Sequence, residues 1–502
     1  MKQRPNIVLI LADDMGYSDI GCFGGEIDTP NIDALSRGGQ AYTQFYNTAR
    51  CCPTRASLLT GLHPHQTGIG HMTHTPEDKA AYDKGLFGYR GFLNRSCITL
   101  PEILKEAGYH TYMSGKWHLG MWEENQWPRQ RGFDRFYGIL PGVCNYMRPT
   151  APRGLYLENA PAEPGDNFYS TNAFTDYALQ FLREQQDDRP FFLYMAYNAP
   201  HWPLQAPREY VQKYRGRYLC GWDEIREKRY ARMLEKEIIT AQSCALPPRD
   251  PEVRPWDALD DAKKDEMDLR MATYAAQIDC MDHSIGRLTQ YLREKGQLDN
   301  TLILFLSDNG GCAEGGELGH GAMEEINSPD IVNLMVSYGR CWANASNTPF
   351  RMYKRYVHEG GMATPLIAHW PDGITAGGLT HAPGYLPDIM PTFLELAGIA
   401  YPGSYQGNSL PAPEGKSLVP IFETGEREGH TRMCWEHEDN CSIRCGRYKA
   451  LQKFDTGEWE LYDLETDRSE LHNLADTHPG IVKSLAGQWY EWAKSHHVMP
   501  KA

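Results

Sequence analysis

Four strand-like segments, three of them apolar runs, are separated by helix-like segments and constrain the fold of this chain most strongly. They cover residues 6–12 (NIVLILA), 110–114, 190–197 (PFFLYMAY) and 301–306 (TLILFL). A continuous apolar run is typical of a strand that is buried on both faces of a parallel sheet. Between the third and fourth strand-like segments, apolar residues recur in steps of four and three over 267–292, which indicates a long helix. Alternating strands and helices predict an α/β fold with a large, mostly parallel sheet flanked by helices.

Charged or metal-binding side chains follow each of the four predicted strands directly. In sheets of this type, ligands bind beyond the carboxyl ends of the strands. We therefore expect these side chains to converge on one site, although they come from four separate segments. They are Asp13 and Asp14, Lys116 and His118, His201, and Asp308 and Asn309.

The carboxylates in this set predict a bound cation. Two unit charges about 4 Å apart repel by roughly 4 kcal/mol at an effective dielectric constant near 20. An isolated Asp-Asp pair is typical of a solvated turn, but Asp13, Asp14 and Asp308 at one site would need a cation. Oxygen ligands favour Ca²⁺, with Mg²⁺ as the second choice, over zinc.

The run CCPTR at residues 51–55 predicts an anion site at the start of a helix. Pro53 suits the first turn of a helix, and Gly61 suits the position just after its end. Cys51 would then lie just ahead of the helix N-terminus, where free N–H groups favour an anion. Arg55 could offer forked donors to the same anion. A lone cysteine here would otherwise be interpreted as an ordinary buried thiol.

This run, with Leu-Thr-Gly behind it, resembles the signature of the type I sulfatases, which belong to the alkaline phosphatase superfamily. In that family the first cysteine of the motif is oxidised to Cα-formylglycine by a maturation enzyme, and by position this is Cys51. The resemblance implies an alkaline phosphatase-like fold and hydrolysis of sulfate esters. It also implies one divalent cation, usually calcium, held by Asp13, Asp14, Asp308 and Asn309 together with residue 51.

The same resemblance implies roles for the remaining residues. One hydroxyl of the hydrated formylglycine attacks sulfur, and His201, with help from Lys354, protonates the leaving group. His118 then takes the proton of the second hydroxyl, and sulfate is expelled. Met352 and Tyr353 stand where the family often has glycines, just before the second lysine. The residues expected to contact the sulfate are Arg55, Lys116, His201 and Lys354.

The pattern changes after about residue 403, which predicts a catalytic domain over 1–403 and a small C-terminal α+β domain over 404–502. Short strands are expected at 431–438, 442–454 and 459–464, with a turn at 455–457 and a final helix over 481–494. They imply a short antiparallel sheet. The motifs WEHE, ELYDL and ELHNL in this part are similar to those of arylsulfatase-like proteins of bacteria, so a bacterial origin is expected.

The composition narrows the remaining function classes. The net charge of −15 argues against nucleic acid as a partner, because phosphate binding needs clustered Lys and Arg. The sequence contains no run of 18 or more apolar residues, so it predicts no membrane span. Thirteen cysteines without a Cys-x-x-Cys pair predict free thiols. The first residues leave no room for a signal peptide, so the protein is expected in the cytoplasm, or in the periplasm or outside the cell if a signal was removed.

The expected substrate is a sulfated saccharide, since a sugar hydroxyl is favoured over a phenol as the leaving group. The sugar, the sulfate position, endo or exo action and the oligomeric state stay open. A phosphonate monoester hydrolase or phosphodiesterase is the alternative enzyme, because sulfate monoesters and phosphate diesters are monoanions of similar shape. A non-catalytic glycan-binding protein would require the loss of key residues. Loop residues that could line a sugar pocket are His71, Tyr146, Arg148, Trp202 and Trp342.

Overall fold

The computed structural model describes residues 4–499. Within them lie one large sheet and one small four-stranded sheet, with helices packed against both, and a separate two-stranded ribbon. The strands are β1 (Asn6–Ala12), β2 (Gln40–Tyr46), β3 (His110–Lys116), β4 (Arg135–Ile139), β5 (Leu155–Leu157), β6 (Ala160–Ala162), β7 (Phe191–Ala196), β8 (Thr301–Ser307), β9 (Ala363–His369), β10 (Gly378–Thr380), β11 (Gly384–Tyr385), β12 (Ser404–Tyr405), β13 (Asn408–Ser409), β14 (Met433–His437), β15 (Asn440–Cys445), β16 (Tyr448–Gln452) and β17 (Trp459–Asp463).

The helices are α1 (Pro30–Arg37), α2 (Cys51–Thr60), α3 (Pro64–Thr67), α4 (Lys79–Tyr82), α5 (Leu100–Glu106), α6 (Ser170–Glu184), α7 (Arg208–Tyr214), α8 (Gly221–Glu235), α9 (Asp261–Glu294), α10 (Gly339–Ser346), α11 (Glu359–Met362), α12 (Ile389–Ala397), α13 (Val419–Thr424) and α14 (Pro479–Ser495). None of the helices within residues 4–499 is both long and apolar enough to cross a membrane. All thirteen cysteines are free thiols, as predicted.

The large sheet is mixed and mostly parallel, which confirms the predicted fold class. Its strand order is β10-β2-β9-β8-β1-β7-β3-β4-β5-β6, with β11 beside β2. Strands β8, β1, β7, β3 and β4 are parallel neighbours, whereas β9 runs antiparallel to both β2 and β8. Side chains of β1 enter two different hydrophobic cores, Val8 and Ile10 on one face and Ile7, Leu9 and Leu11 on the other. A strand that is apolar along its whole length therefore lies at the centre of the sheet.

The four predicted strands are present within about two residues of their expected ends, but β4 and β9 were not anticipated. Strand β9 contains Pro365, and a proline is unusual in a central strand because it lacks an N–H donor. The pairing of β9 with β2 shifts register between Tyr42 and Phe45, opposite this proline. The irregularity accommodates the missing donor and explains why the sequence pattern does not indicate a strand.

The small sheet has the order β14-β15-β16-β17 and is antiparallel, with α14 packed on it. The single strand predicted over 442–454 is wrong. The segment forms two strands, β15 and β16, which reverse through Gly446 at a φ of 58°. A positive φ suits glycine, which explains the tight turn within an otherwise extended pattern. The boundary at residue 403 stays a prediction, although four apolar residues after it pack into a core of the large sheet: Leu410, Leu418, Ile421 and Phe422.

A buried cluster of charges joins the two sheets. The ammonium of Lys449 on β16 lies 3.0 Å from Glu359 of α11 and 2.8 Å from Glu470, and all three residues are fully buried. Arg468 lies 3.3 Å from the other oxygen of Glu359 and donates to the carbonyl of Thr43 on β2. Because an unpaired buried charge is costly, each member of the cluster depends on its partners.

We expect Lys449→Ala to destabilise the protein by about 3–5 kcal/mol, because it leaves Glu359 and Glu470 buried without their shared cation. Chemical denaturation followed by circular dichroism measures the loss. The control is Lys228→Ala, which removes an exposed i,i+4 pair with Glu224 and should change stability by no more than about 0.5 kcal/mol. Equal effects of the two substitutions would contradict the assigned role of the buried cluster.

Candidate active site

The carboxyl ends of β1, β3, β7 and β8 bring the predicted site residues together. Asp13 and Asp14 follow β1, Lys116 ends β3, and Asp308 follows β8. Strands β1 and β8 are paired in parallel from Asn6↔Thr301 to Ala12↔Ser307, so the carboxylates that follow them meet side by side. All of these residues are buried. The convergence expected from the separate segments is therefore present in the structure.

Asp13 and Asp308 share the cation of Arg55, and Asp13 has a second one in Lys116. Lys116 Nζ lies 2.6 Å from Asp13 Oδ2, and Arg55 Nη2 lies 2.8 Å from Asp308 Oδ2 and 3.6 Å from Asp13 Oδ1. The other terminal nitrogen of Arg55 donates to the carbonyl of Lys116 at 2.9 Å. Arg55 thus joins the metal-ligand candidates to the lysine at the end of β3.

Asp14 belongs to a second group of contacts. Its Oδ2 lies 2.8 Å from Lys354 Nζ and 3.4 Å from His201 Nε2, and its Oδ1 accepts a 2.7 Å bond from the Asn309 amide. Lys354 Nζ also lies 3.3 Å from His201 Nε2. Lys354 therefore occupies the site despite Met352 and Tyr353 before it. The backbone of Met352 adopts a φ of 64°, a conformation that glycine adopts more readily.

Cys51 is the first residue of α2, so the helix begins one residue earlier than the sequence predicts. Gly61 ends the helix at a φ of 68°, as expected. The Thr54 hydroxyl donates 2.7 Å to the carbonyl of Asp308, which fixes the helix start against the loop after β8. Cys51 itself is 1% exposed. These contacts hold residue 51 beside the carboxylates.

His118 has one ring nitrogen free at the centre of the site. Its Nε2 lies 3.1 Å from the carbonyl of Thr73, which can only accept, so Nε2 carries the proton. Nδ1 is buried without a hydrogen-bond partner, and the imidazole interacts with the Cys51 side chain. Burial lowers the pKa of His118 to about 3. The ring is therefore neutral at neutral pH and presents a lone pair toward residue 51.

His201 adopts the opposite tautomer. Its Nδ1 donates to the Trp202 carbonyl at 2.6 Å, so Nε2 carries a lone pair toward Lys354. Burial lowers the pKa of His201 to about 4. Although burial opposes its charge, Asp14 and then Glu314 hold the pKa of Lys354 well above its ordinary value. In this arrangement the mobile proton of the pair resides on Lys354.

The pKa values of the buried carboxyl groups and of the Cys51 thiol shift in different directions. Burial raises the pKa of Asp13 well above its usual range and also raises the pKa of Asp308. Burial also opposes the charge of Asp14, but Lys354 and His201 hold the pKa of this carboxyl below its ordinary value. A hydrogen bond with Cys52, and then the Lys116 ammonium, hold the pKa of the Cys51 thiol well below its ordinary value. The site therefore favours negative charge at residue 51.

The donor set fits a divalent cation. Asp13 Oδ1 and Asn309 Oδ1 are buried without a hydrogen-bond partner, and buried polar atoms rarely remain unpaired. Asp13, Cys51 and Asp308 form one group that could hold an ion, and Asp13, Asp14 and His201 form another that shares Asp13. A set dominated by carboxylate and amide oxygens suits Ca²⁺ or Mg²⁺ better than zinc.

Glu314 is a site residue that the sequence did not indicate. It lies 2.8 Å from Arg50, accepts a 3.0 Å bond from the Trp202 indole and lies 4.0 Å from Lys354. Although burial opposes its charge, Lys354 and Arg50 hold the pKa of Glu314 far below its ordinary value. Its position in the loop that begins with Asp308 is the signal that could have identified it.

A cavity of about 560 Å³ extends outward from Lys354 and Glu314. Seven of its lining side chains are cationic, including Arg50, Arg226 and Arg351, and three are acidic. The Nε of Arg226 is buried without a partner. Basic side chains therefore outnumber acidic ones in the lining of this cavity, whereas acidic residues predominate in the chain as a whole.

Of the five residues predicted for a sugar pocket, Trp342 and Tyr146 are wrong as wall residues because both are fully buried. Trp342 packs edge-on against Trp222 and donates to the carbonyl of Met267 in the hydrophobic core. The Tyr146 hydroxyl lies 2.8 Å from the carbonyl of His201 and supports that loop. Trp202 is partly exposed beside Glu314, His71 bonds the Met72 carbonyl, and Arg148 is exposed and paired with Asp330.

Comparison with known proteins identifies the family. The Sulfatase family model matches residues 5–399, and a model described as N-sulphoglucosamine sulphohydrolase, C-terminal, matches 350–494. An uncharacterized sulfatase of Schizosaccharomyces pombe is 37% identical over 97% of this chain and 93% of its own length. The arylsulfatase of Klebsiella aerogenes is 35% identical over 79% of this chain and 88% of its own.

Solved structures agree with this assignment. Ps i-CgsB, crystallised with k-i-k-neocarrahexaose, superposes with a TM-score of 0.70 at 26% identity, covering 98% of this chain and 93% of that chain. The family model matches most of the residues, including every strand that contributes to the site. The chain therefore belongs to the sulfatase family and is a sulfuric ester hydrolase.

Proposed function

We propose that this sulfatase cleaves the S–O bond of ester sulfates on carbohydrates, using a formylglycine made from Cys51 and one divalent cation. The observation that carries the proposal is the meeting of Asp13, Asp14, Asp308 and Asn309 beside residue 51, with Lys116 and Lys354 opposite them. Calcium is the first choice of cation and magnesium the second, because the ligands are oxygens. A formylglycine-generating enzyme would act on Cys51 before activity appears.

The group at residue 51 would supply a hydroxyl nucleophile, and a cation held by Asp13, Asp14, Asp308 and Asn309 would polarise the bound sulfate. Lys116 lies beside Asp13 and Lys354 beside Asp14, and both ammonium groups neutralise charge on the sulfate oxygens. Both terminal nitrogens of Arg55 already bond Asp308 and the Lys116 carbonyl. We therefore assign Arg55 first to positioning, with only its Nε left to reach an anion.

The proton for the leaving group comes from the Lys354–His201 pair. Lys354 donates to His201 Nε2, while His201 Nδ1 is fixed by the Trp202 carbonyl. When a sugar alkoxide departs, the pair delivers this proton to its oxygen. Glu314 and Asp14 hold the lysine in place through their charges.

His118 acts after the leaving group has gone. Its protonated Nε2 is anchored to Thr73, and its free Nδ1 faces residue 51. A neutral imidazole with this orientation accepts a proton from the group at residue 51 and so promotes the release of sulfate.

The cationic cavity beyond Lys354 supports a carbohydrate with more than one anionic group as the substrate. Its volume of about 560 Å³ lies within the range of about 300–1,000 Å³ that is usual for small-molecule sites. Ps i-CgsB, which has a similar structure, was crystallised with an oligosaccharide. The aromatic residue Tyr356, which is partly exposed, also lines the cavity and suits the face of a sugar ring.

We expect peptide mass spectrometry of the active enzyme to show an aldehyde or its hydrate at residue 51, and Cys51→Ala to abolish turnover while the fold is retained. The control is Cys52→Ala, which keeps the modified position and should keep measurable activity. Full activity with an unmodified thiol at residue 51 would refute the proposal. Assays on an aryl sulfate, an aryl phosphonate and sulfated oligosaccharides test the reaction class, and faster turnover of the phosphonate would favour the alternative enzyme.

Removal of the cation should abolish activity, and Ca²⁺ should restore it more fully than Mg²⁺, because the three buried carboxylates lose their common partner. The measurement is kcat on an aryl sulfate after chelation, dialysis and titration with each metal. Asn309→Ala should weaken the restoration, whereas Asn300→Ala, at the opposite end of β8, should not. Full activity of the metal-free enzyme would contradict the assigned site.

The two histidines should respond differently to the leaving group. A nitrophenolate departs without a proton, whereas a sugar alkoxide needs one. His201→Ala should therefore slow the turnover of a sulfated sugar by about 10²–10⁴-fold and the turnover of an aryl sulfate much less. His118→Ala should slow the turnover of both substrates toward a common rate, because His118 acts after the leaving group has departed. Steady-state kinetics on both substrates measures the split. Equal losses on both substrates for His201→Ala would show that its role is assigned wrongly.

Glu314→Ala should lower kcat/KM by about 10–100-fold, because a charged hydrogen bond is worth about 1.5–3 kcal/mol and Lys354 and Trp202 lose a shared partner. The matched control is Glu317→Ala, which breaks an exposed pair with Arg254 three residues further along. Unchanged kinetics of Glu314→Ala would remove this residue from the site.

A further inference from the structure

Three segments that are distant in sequence meet at a second cluster of metal-binding side chains. His63 lies just before α3, Glu414 lies between β13 and α13, and His496 follows α14. The cluster is near the C-terminal end of α2, whereas Cys51 is at its other end, and ten helical residues span about 15 Å. It is therefore separate from the active site.

Both imidazoles point the same ring nitrogen at one carboxylate. His63 Nε2 lies 3.3 Å from Glu414 Oε2, and His496 Nε2 is in contact with Glu414 Oε1. The three ligand atoms lie within 4.8 Å of one another. Both histidines are buried, whereas the Glu414 side chain is 42% exposed.

The partners of the other ring nitrogens fix the tautomers. His496 Nδ1 lies 2.8 Å from the carbonyl of Trp492, which can only accept, so this nitrogen carries a proton. His63 Nδ1 lies 3.2 Å from the Tyr385 hydroxyl, whose own proton is donated to the carbonyl of Cys434 at 2.7 Å. The hydroxyl oxygen must then accept from His63. In both neutral rings, the proton is therefore on Nδ1.

It follows that two lone pairs and a carboxylate converge, with no donor among them. If each histidine bound one extra proton, all three acceptors would be satisfied. Both rings would then be imidazolium cations, although they are buried and their centroids are only 4.9 Å apart. Like charges at this distance repel, and burial adds a desolvation cost. One divalent cation satisfies all three groups at once.

We propose that His63, Glu414 and His496 bind one zinc ion that joins the C-terminal helix α14 to the catalytic domain. Two imidazole nitrogens and one carboxylate form a ligand set that zinc prefers and that calcium does not. The 3.3 Å separation of His63 Nε2 and Glu414 Oε2 equals, to about 0.1 Å, the edge of a tetrahedron with bonds of about 2.0–2.1 Å.

The surroundings of both histidines match those of metal-bound histidines. Each histidine bonds an oxygen through its other nitrogen, as metal-bound histidines usually do to fix the ring. The exposed side of Glu414 leaves the fourth position to water. A cation here ties together residues that are 351 and 82 positions apart in sequence, so it would stabilise the packing of the C-terminal segment.

The test uses the full chain, stripped of metal, reloaded with Ca²⁺ and titrated with Zn²⁺ alone. Calorimetry and elemental analysis should give one zinc per chain that Ca²⁺ does not displace, and Zn²⁺ should raise the thermal midpoint. Glu414→Gln, which alters an exposed residue, and His496→Gln should each weaken zinc binding more than 10-fold. The control is His472→Ala, an exposed histidine of the C-terminal part, which should bind zinc as the wild type does.

Sulfatase activity with Ca²⁺ is measured on the same samples and should be unchanged in both variants, so this result is independent of the proposed catalytic mechanism. Substitution with Co²⁺ gives a second readout, because a tetrahedral site produces strong visible absorption that Glu414→Gln should abolish. Zinc binding that is absent from the wild type, or equal in wild type and Glu414→Gln, would overturn the proposal.

Discussion

This structure depends on one interaction: buried cations neutralise the buried carboxylates at the ends of the central strands. Parallel pairing of β1 with β8 brings Asp13, Asp14 and Asp308 together. Such a group is tolerated in the interior only if every charge has a partner, and the partners come from other elements: α2, β3 and the loop before α11. The large sheet, helix α2 and the loop before α11 therefore have to fold together for the site to exist.

Backbone strain is concentrated in the same place. Asp14 has a φ of 68° and His118 a φ of 54°, which is uncommon for residues with a side chain. The Asp14 amide donates to Asp308 Oδ1, and the His118 amide donates to the carbonyl of Leu140. These bonds hold conformations that the free chain would rarely populate, and they turn both side chains into the site.

The sequence predicts the parts of the site that local patterns encode. Apolar runs locate the central strands, and the polar residues after them locate the cluster, because both depend on neighbours in sequence. Strand β9 escapes prediction because Pro365 breaks its pattern, although the register shift with β2 accommodates it. The burial of Trp342 escapes prediction because its partner Trp222 lies more than a hundred residues away and no local pattern indicates that contact. Glu314 lies in the loop after β8 but six residues beyond Asp308, so its position alone gives a weaker signal than its contacts with Arg50 and Lys354.

The net charge of −15 does not prevent the binding of an anionic sulfate ester, because most of the acidic side chains are far from the site. At physiological ionic strength the Debye length is about 8 Å, so exposed acids elsewhere on the surface contribute little to the field inside the cavity. Within it, the cationic side chains that surround Lys354 and Arg226 outnumber the acidic ones. The lining that a sulfate would meet beside Lys354 therefore carries more basic than acidic side chains. Net charge accordingly bears on nonspecific partners of the whole surface, whereas the charge that a bound anion meets is set by the side chains next to it.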